Sequence, residues 1–546
     1  MRGISRRDFI GTAVAGGAGA LLLPRWAAAL PNQVPTGPSA IPSAPFTLGV
    51  ASGDPTPTSV ILWTRLAPDP LNDGGMGPGD EAVGWEVATD EGFADVVASG
   101  TATASAMYAH SVHVDAGGLE PDSWYWYRFS AGGYDSPVGR TRTLPAAGSS
   151  PAAMAFGFAS CQSWTSGYYT AHTHLATEPL DLVFFLGDFI YEGGTGGGVR
   201  PHNSAEVTTL PMYRNRYALY GGDAELQKSR AAFPWVVVWD DHEVENNYAG
   251  QFDENGSDPA TFLVRRAAAY QAWWEHQPVR LAPPTGPDLA IYRGFEWGDL
   301  ASFSALDTRQ YRDDHACPPA PGLGDIGPVC DNLANPDRTI LGAAQESWLL
   351  DRLGASTSIW NVLANQVVFS AMPFAGAYNF DQWDGYPVTR QRVVDVLARP
   401  EVRNPVIITG DIHAAGVADV HQVGEDPTTP RVATELVGTS ISSQFNDELV
   451  DLAEALIGSL PWARYVNAQE RGYVTVALTR DRMDANFRVV STVTQTSATV
   501  STDFTWSVDA EPLQGPTTTT TAPPTSTTAP SSTAAPAVTA SPNFTG

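Results

Sequence analysis

Residues 406–414 read VIITGDIHA: the apolar run Val406 to Ile408 breaks at Gly410, and Asp411 and His413 follow two positions apart. On an extended chain a period of two puts both side chains on one side, so a strand end of this kind can aim a carboxylate and an imidazole at one point as metal ligands. Alone, the same pattern equally suits an Asp capping the next turn beside a solvated His. Fold and chemistry therefore depend on whether other stretches converge on it.

Other stretches repeat the pattern. Met154 to Ala159 leads into Ser160 and Cys161, Leu182 to Leu186 into Gly187 and Asp188, and Trp235 to Trp239 into Asp240, Asp241, His242 and Glu243. Ala301 to Leu306 precedes Asp307, and Val362 to Leu363 precedes Asn365. Helical periodicity fills Ala260 to His276 and Leu341 to Leu353, while Tyr473 to Ala477 and Ala485 to Val490 read as a closing antiparallel pair. Buried strands separated by helices, with polar residues at the strands' C-terminal ends, describe an α/β enzyme layered helix, sheet, helix over residues 152–508.

Upstream, residues 46–147 change character. Val60 to Leu66, Gly84 to Ala88, Val97 to Thr103, Tyr108 to Val114 and Trp124 to Phe129 are short strands with turn signals between them. With the corner Leu119 to Asp122 they suggest a fibronectin-like β-sandwich without a ligand cluster. Residues 30–45 read as a Pro/Ser-rich linker. Residues 1–29 carry Ser5-Arg6-Arg7-Asp8-Phe9-Ile10, a Gly/Ala-rich apolar segment and a small-residue run at Ala27 to Ala29, which is a twin-arginine signal peptide. Export through the twin-arginine machinery, to a secreted or wall-associated location, is the expectation. The Thr/Pro/Ala-rich stretch 512–546 lacks the apolar content to bury a core and reads as a disordered tail.

The 546 residues carry 31 Lys+Arg against 59 Asp+Glu, a formal charge of -28. That balance excludes a broad basic nucleic-acid surface and repels phosphorylated substrates at long range, so any phosphate site must be local and cation-assisted. Of the three cysteines, Cys317 and Cys330 bracket a Pro/Gly-rich loop and suit a disulfide in an exported protein, which leaves Cys161 odd. A monomer is expected.

Cys161, Asp188, Tyr191, Asn246 or Asn247, Asp411 and His413 can share one rim of such a sheet. Thiolate, phenolate and imidazole together favour ferric iron, whereas carboxylates and an amide oxygen suit calcium or manganese. Asp188, with two oxygens, is the natural bridge. Arg309 and Arg312 have the chemistry for phosphate, yet equally for buried ion pairs. His242 suits a partner carboxylate such as Asp240 or Asp241, and Asp240 and Glu243 read as structural.

Ser160-Cys161, GDFIY at 187–191, DDHEVENN at 240–247, LDTRQYR at 306–312, LGAAQESWL at 341–349, ANQ at 364–366 and GDIH at 410–413 resemble, in order, the PhoD alkaline phosphatase family of metallophosphoesterases. The resemblance spans about residues 46–500. It implies a four-layer αββα metallophosphoesterase sandwich behind an N-terminal β-sandwich, with an Fe3+ and Ca2+ cluster. Cys161, Asp188, Tyr191 and His413 would hold iron; Asp188, Asp411 and Asn247 or Asn246 would hold calcium. His242 would lie near the phosphate and Arg312 would orient it. The implied activity is hydrolysis of phosphate mono- and diesters by a metal-bound hydroxide, for phosphate acquisition. A phospholipase D-like phosphodiesterase acting on phospholipid is the alternative within the family, and a non-catalytic wall-associated protein the alternative outside it.

Overall fold

A computed structural model describes residues 41–511, apart from 322, 323, 375 and 447. The signal peptide expected over 1–29 and the tail expected over 512–546 lie outside the described residues, as does most of the linker. Ile41 and Pro45, placed in the linker by composition, are buried, and Ile41 packs in the N-terminal core, so ordered packing begins earlier than the sequence suggested.

Two sheets face one another. A nine-stranded sheet runs Val500–Asp509, Arg482–Val490, Arg471–Thr479, Ala153–Ala159, Leu182–Phe185, Pro234–Val237, Val50–Gly53, Ser59–Arg65 and Ser111–Gly117. A seven-stranded sheet runs Arg293–Trp297, Ala301–Ala305, Trp360–Ala364, Pro405–Thr409, Arg431–Val437, Ala415–His421 and Ala463–Asn467. Each has a parallel centre: Ala153–Ala159 with Leu182–Phe185 and Pro234–Val237 in the first, and Ala301–Ala305 through Arg431–Val437 in the second.

Phe303 of the second sheet reaches across to Phe156 and Phe184 of the first, at ring separations of 5.5 and 5.1 Å. Such pairs are worth about 0.5–1.5 kcal/mol each beyond their buried area. The Pro405–Thr409 strand shows why the layers hold: Val406 and Ile408 enter the core between the sheets, while Ile407 enters the core under the helices Gly342–Gly354 and Pro387–Leu397. Helices Thr170–Leu175, Ala224–Ala232 and Leu210–Gly221 cover the other side. Asp223 caps one of them, its carboxylate accepting from Glu225 N at 2.9 Å and Leu226 N at 3.2 Å, worth about 1 kcal/mol. These are the four layers that the family resemblance implied; the strand pattern alone read as one helix–sheet–helix stack, because strands buried on both faces look alike in sequence whichever sheet they join.

The N-terminal strands do not form a free-standing sandwich. Val50–Gly53 pairs in parallel with Pro234–Val237, so one N-terminal sheet continues the nine-stranded sheet. Glu81–Ala88, Val96–Ala104 and Trp124–Ala131 build the opposing sheet, and Tyr125 Oη accepts from Glu120 N at 2.9 Å to fix the corner. The strand expected from Tyr108 starts only at Ser111, because Ala106–Tyr108 is a 3-10 turn and Ala109 and His110 follow it with positive φ. Among the described residues no helix is long and apolar enough to cross a membrane.

Candidate metal centre

The C-terminal ends of four parallel strands meet. Cys161 N donates to Gly187 O and Gln162 N to Asp188 O, each at 3.1 Å, which ties the first two strand ends together. Buried Glu243 ties in the third: its carboxylate accepts from Asp188 N (3.0 Å), Phe189 N (2.5 Å) and Asp240 N (2.8 Å). Two glycines permit the approach. A Cβ on Gly187, at φ +111, would sit 2.4 Å from Asp240 Cβ, and one on Gly410 would sit 2.5 Å from Ser160 Oγ. Five of the twelve described non-glycine residues with positive φ are Cys161, Asp188, Asn247, Asp411 and His413. Strain concentrated on the candidate ligands marks a site that the surrounding packing enforces.

Three groups of donor atoms result, in each of which the atoms lie within 4.8 Å of one another: Cys161, Asp188 and His413; Asp188, Asp241 and His242; and Asp240, Asp241 and Asp411. Asp188 and Asp241 are each shared by two groups. Tyr191 joins the first, its Oη 2.9 Å from Asp188 Oδ2 and 3.1 Å from His413 Nε2, with Ser443 Oγ donating to it at 2.7 Å. His413 Nδ1 donates to Gln444 O at 3.1 Å, leaving Nε2, the nitrogen that faces Tyr191 Oη, as the one with the lone pair.

Arg309, fully buried, donates to Asp240 and to both oxygens of Asp381 at 2.6 and 2.9 Å. It also lies 3.7 Å from Asp241 Oδ1 and from Asp411 Oδ1. Arg312, expected at the phosphate, is instead turned to Asp381 and Thr308: Nη1 donates to Asp381 Oδ1 at 2.6 Å, Nη2 to Asp381 O at 3.1 Å and Nε to Thr308 O at 2.5 Å. It stands one residue behind the cluster and anchors Asp381.

Four buried aspartates, Asp188, Asp240, Asp241 and Asp381, and the half-buried Asp411 face two arginines, which leaves a surplus of negative charge. Burial therefore pushes the carboxyls of Asp188 and Asp240 well above their ordinary values and Asp411 to about 6. It also pushes the Cys161 thiol and the Tyr191 phenol far up and drives His413 down to about 4. Asp241 goes the other way: against burial, Arg309 and His242 hold it below the carboxylate range. Against burial too, Glu192, Asp241 and Asp188 raise His242 well above its usual value. Asp188 Oδ1 and Asp241 Oδ1 are buried without a hydrogen-bond partner. Orphaned carboxylate oxygens in a surplus of negative charge fit bound cations, and this donor set of thiol, phenol, imidazole and carboxylates fits a mixed pair.

The two asparagines separate. Asn247 N donates to Asp241 Oδ2 at 2.7 Å, whereas Asn246 turns its amide to exposed Glu254 at 3.0 Å. Asn247 is the one at the carboxylates. The His242 ring lies against Tyr191 at a centroid separation of 4.1 Å, tilted by 32°, and its Nδ1 pairs with Glu192 Oε2 at 2.7 Å. Sequence reasoning missed Asp241 as a member of two donor groups, Glu192 as the partner of His242, and Gln382, which donates to Asp411 Oδ2 at 2.7 Å. Asp241 was signalled by the double Asp and Glu192 by its place directly after GDFIY. Gln382 carried no signal.

The geometry has relatives. The profile of the PhoD-like phosphatase family matches residues 156–487, and that of the PhoD-like phosphatase N-terminal domain matches residues 32–145. Alkaline phosphatase D of Bacillus subtilis (strain 168) is 49% identical over 493 residues, covering 88% of this chain and 83% of the relative. A solved structure of PhoD superposes with a TM-score of 0.81 at 48% identity, covering 86% of this chain and 91% of that one. The chain belongs to the PhoD-like phosphatase family.

Proposed function

We infer that the chain is a phosphoric ester hydrolase of the alkaline phosphatase D type. The single observation that carries this reading is the row of donor groups sharing Asp188 and Asp241, each with an unpaired buried oxygen. Bound cations would neutralise the anionic phosphoryl oxygens and lower the pKa of an attacking water.

For the metals, the reading is Fe3+ held by Cys161, Asp188, Tyr191 and His413, with Ca2+ held by Asp188, Asp411 and Asn247. Asp241 joins this set as an additional carboxylate ligand. Support comes from the donor types: thiolate and phenolate on one side of Asp188, oxygens alone on the other.

The remaining work falls to the chain's own groups. Glu192 accepts from His242 Nδ1–H and, through its other oxygen, from Asn246 N at 2.9 Å, so the ring is fixed in one orientation. His242 Nε2 is then the atom that gives a proton to the leaving oxygen. Arg309 holds Asp240 and Asp381 in place, and Arg312 holds Asp381 from behind. The twin-arginine signature Arg6-Arg7 supports export and a role in phosphate acquisition outside the cell.

The test is a substrate panel of p-nitrophenyl phosphate, bis-p-nitrophenyl phosphate and a phospholipid. Hydrolysis of the first two, abolished in Asp188→Ala, supports the reading. No hydrolysis of any member by metal-replete protein would overturn it. Retention of folded precursor inside cells carrying Arg6→Lys and Arg7→Lys tests the export route.

A further inference from the structure

The Cys317–Cys330 disulfide ties down the segment that carries Asp325. Its base is well anchored: Cys317 packs with fully buried Phe380, Phe380 N donates to Asp325 O at 3.0 Å, and Ala320 N donates to Ile326 O at 2.8 Å. Directly after Asp325, Ile326–Pro328 pairs antiparallel with Ala377–Asn379. These contacts fix where the Asp325 carboxylate goes. One oxygen, Oδ2, accepts from Asn247 Nδ2, and the other, Oδ1, lies 3.6 Å from His315 Nδ1. None of this is explained by the loop's own stability, since the partner of Asp325 belongs to another segment.

An ionised carboxylate only accepts hydrogen bonds, so the amide of Asn247 must present its NH2 to Asp325 and its Oδ1 away from it. The backbone of Asn247 is pinned separately by Asp241 at 2.7 Å, in a left-handed conformation at φ +52. With both ends fixed, the one free oxygen donor of this side chain has a set direction. Residues behind a ligand that set its orientation change metal affinity by about 10–100-fold when removed.

We propose that Asp325 is a positioning residue that the disulfide-closed loop delivers to Asn247, so that affinity for the hard cation depends on a loop contributing no ligand. The inference rests on the assignment of Asn247 as a calcium ligand made above. It has a directional consequence. The side-chain and amide contacts of Asn247 and Asp325 go to Asp241, to each other and to His315 rather than to Cys161, Tyr191 or His413, so loss of Asp325 weakens calcium binding and leaves the iron side unchanged.

The test is calcium titration of the purified full chain, with the visible spectrum and thermal midpoint recorded on the same samples. Asp325→Ala is expected to weaken calcium binding by about 10-fold or more, with the spectrum unchanged. Asp325→Asn still offers an oxygen acceptor to Asn247 Nδ2, so it is expected to stay within about threefold of wild type. The double variant Cys317→Ala/Cys330→Ala, which frees the loop, should resemble Asp325→Ala. Wild-type affinity in Asp325→Ala, or equal losses in Asp325→Ala and Asp325→Asn, would overturn the proposal, the second because charge rather than orientation would then be the cause. A wild-type protein that binds no calcium would overturn the metal reading itself, a result distinct from both.

Discussion

Tyr191 Oη lies 2.9 Å from Asp188 Oδ2, and the two side chains leave the same strand end three residues apart. A phenol that burial keeps protonated is thereby set against the carboxylate shared by two donor groups. Tyr191→Phe removes the oxygen and keeps the ring that packs against His242. The expected result is loss of any tyrosinate-to-iron absorption and a fall in turnover of about 10–100-fold, with the thermal midpoint little changed. Colour retained in Tyr191→Phe would remove the phenol from the ligand set.

Asp188 Oδ1 is buried and unpartnered, and burial raises its carboxyl well above the ordinary value. A cation relieves that cost, so stripping metal with a chelator should lower the thermal midpoint of the wild type. Asp188→Asn should bind metal poorly but lose much less stability on chelation. Calorimetry with and without chelator checks this. Equal drops in both proteins would mean the carboxylates are not what the metal stabilises.

Arg309 is buried between Asp240 and Asp381. Arg309→Met leaves Asp240 in the interior without its cation, while Asp381 keeps Arg312, and costs about 3–5 kcal/mol. Urea unfolding should show a lower midpoint with an unchanged slope. Arg309→Lys keeps the charge but loses the fork that reaches both acids, and should fall between the two.

His172 tests the acid side of stability away from the metal centre. Its Nε2 donates to Gln162 Oε1 and its Nδ1 accepts from Ser229 Oγ, both at 2.9 Å, while burial first and Arg230 second lower its pKa to about 3. The folded value lies below the unfolded value of about 6.5, so the unfolded chain takes up a proton that the native ring refuses. Stability is fully present above pH 6.5 and falls as pH drops toward 3, by roughly 1 kcal/mol per pH unit from this residue. His172→Asn should flatten the stability–pH slope between pH 6 and 4 by about one proton. An unaltered slope would place the titration elsewhere.

The strand ends were legible because chemistry and periodicity coincide there. Asp411 and His413, Asp188, and Cys161 each follow an apolar run, and the structure gathers Cys161, Asp188 and His413 into one donor group and Asp411 into another with Asp240 and Asp241. What stayed hidden needed distance rather than pattern. The two sheets could not be told apart because Val406, Ile407 and Ile408 are apolar on both faces. Val50–Gly53 is too short to announce that it extends the nine-stranded sheet. Arg312 follows the phosphate-binding residue type, but Asp381, 69 residues away in sequence, takes its guanidinium. Asp325 and Gln382 reach the centre from loops whose sequences carry no repeat, motif or alternation.

Asp188 belongs to two donor groups and would serve both ions of a mixed pair. Elemental analysis of the purified, folded protein is the decisive measurement. Iron and calcium are expected together, with iron lost in Cys161→Ala and calcium in Asp411→Ala. Stoichiometric zinc or manganese in a colourless protein would rule the mixed pair out.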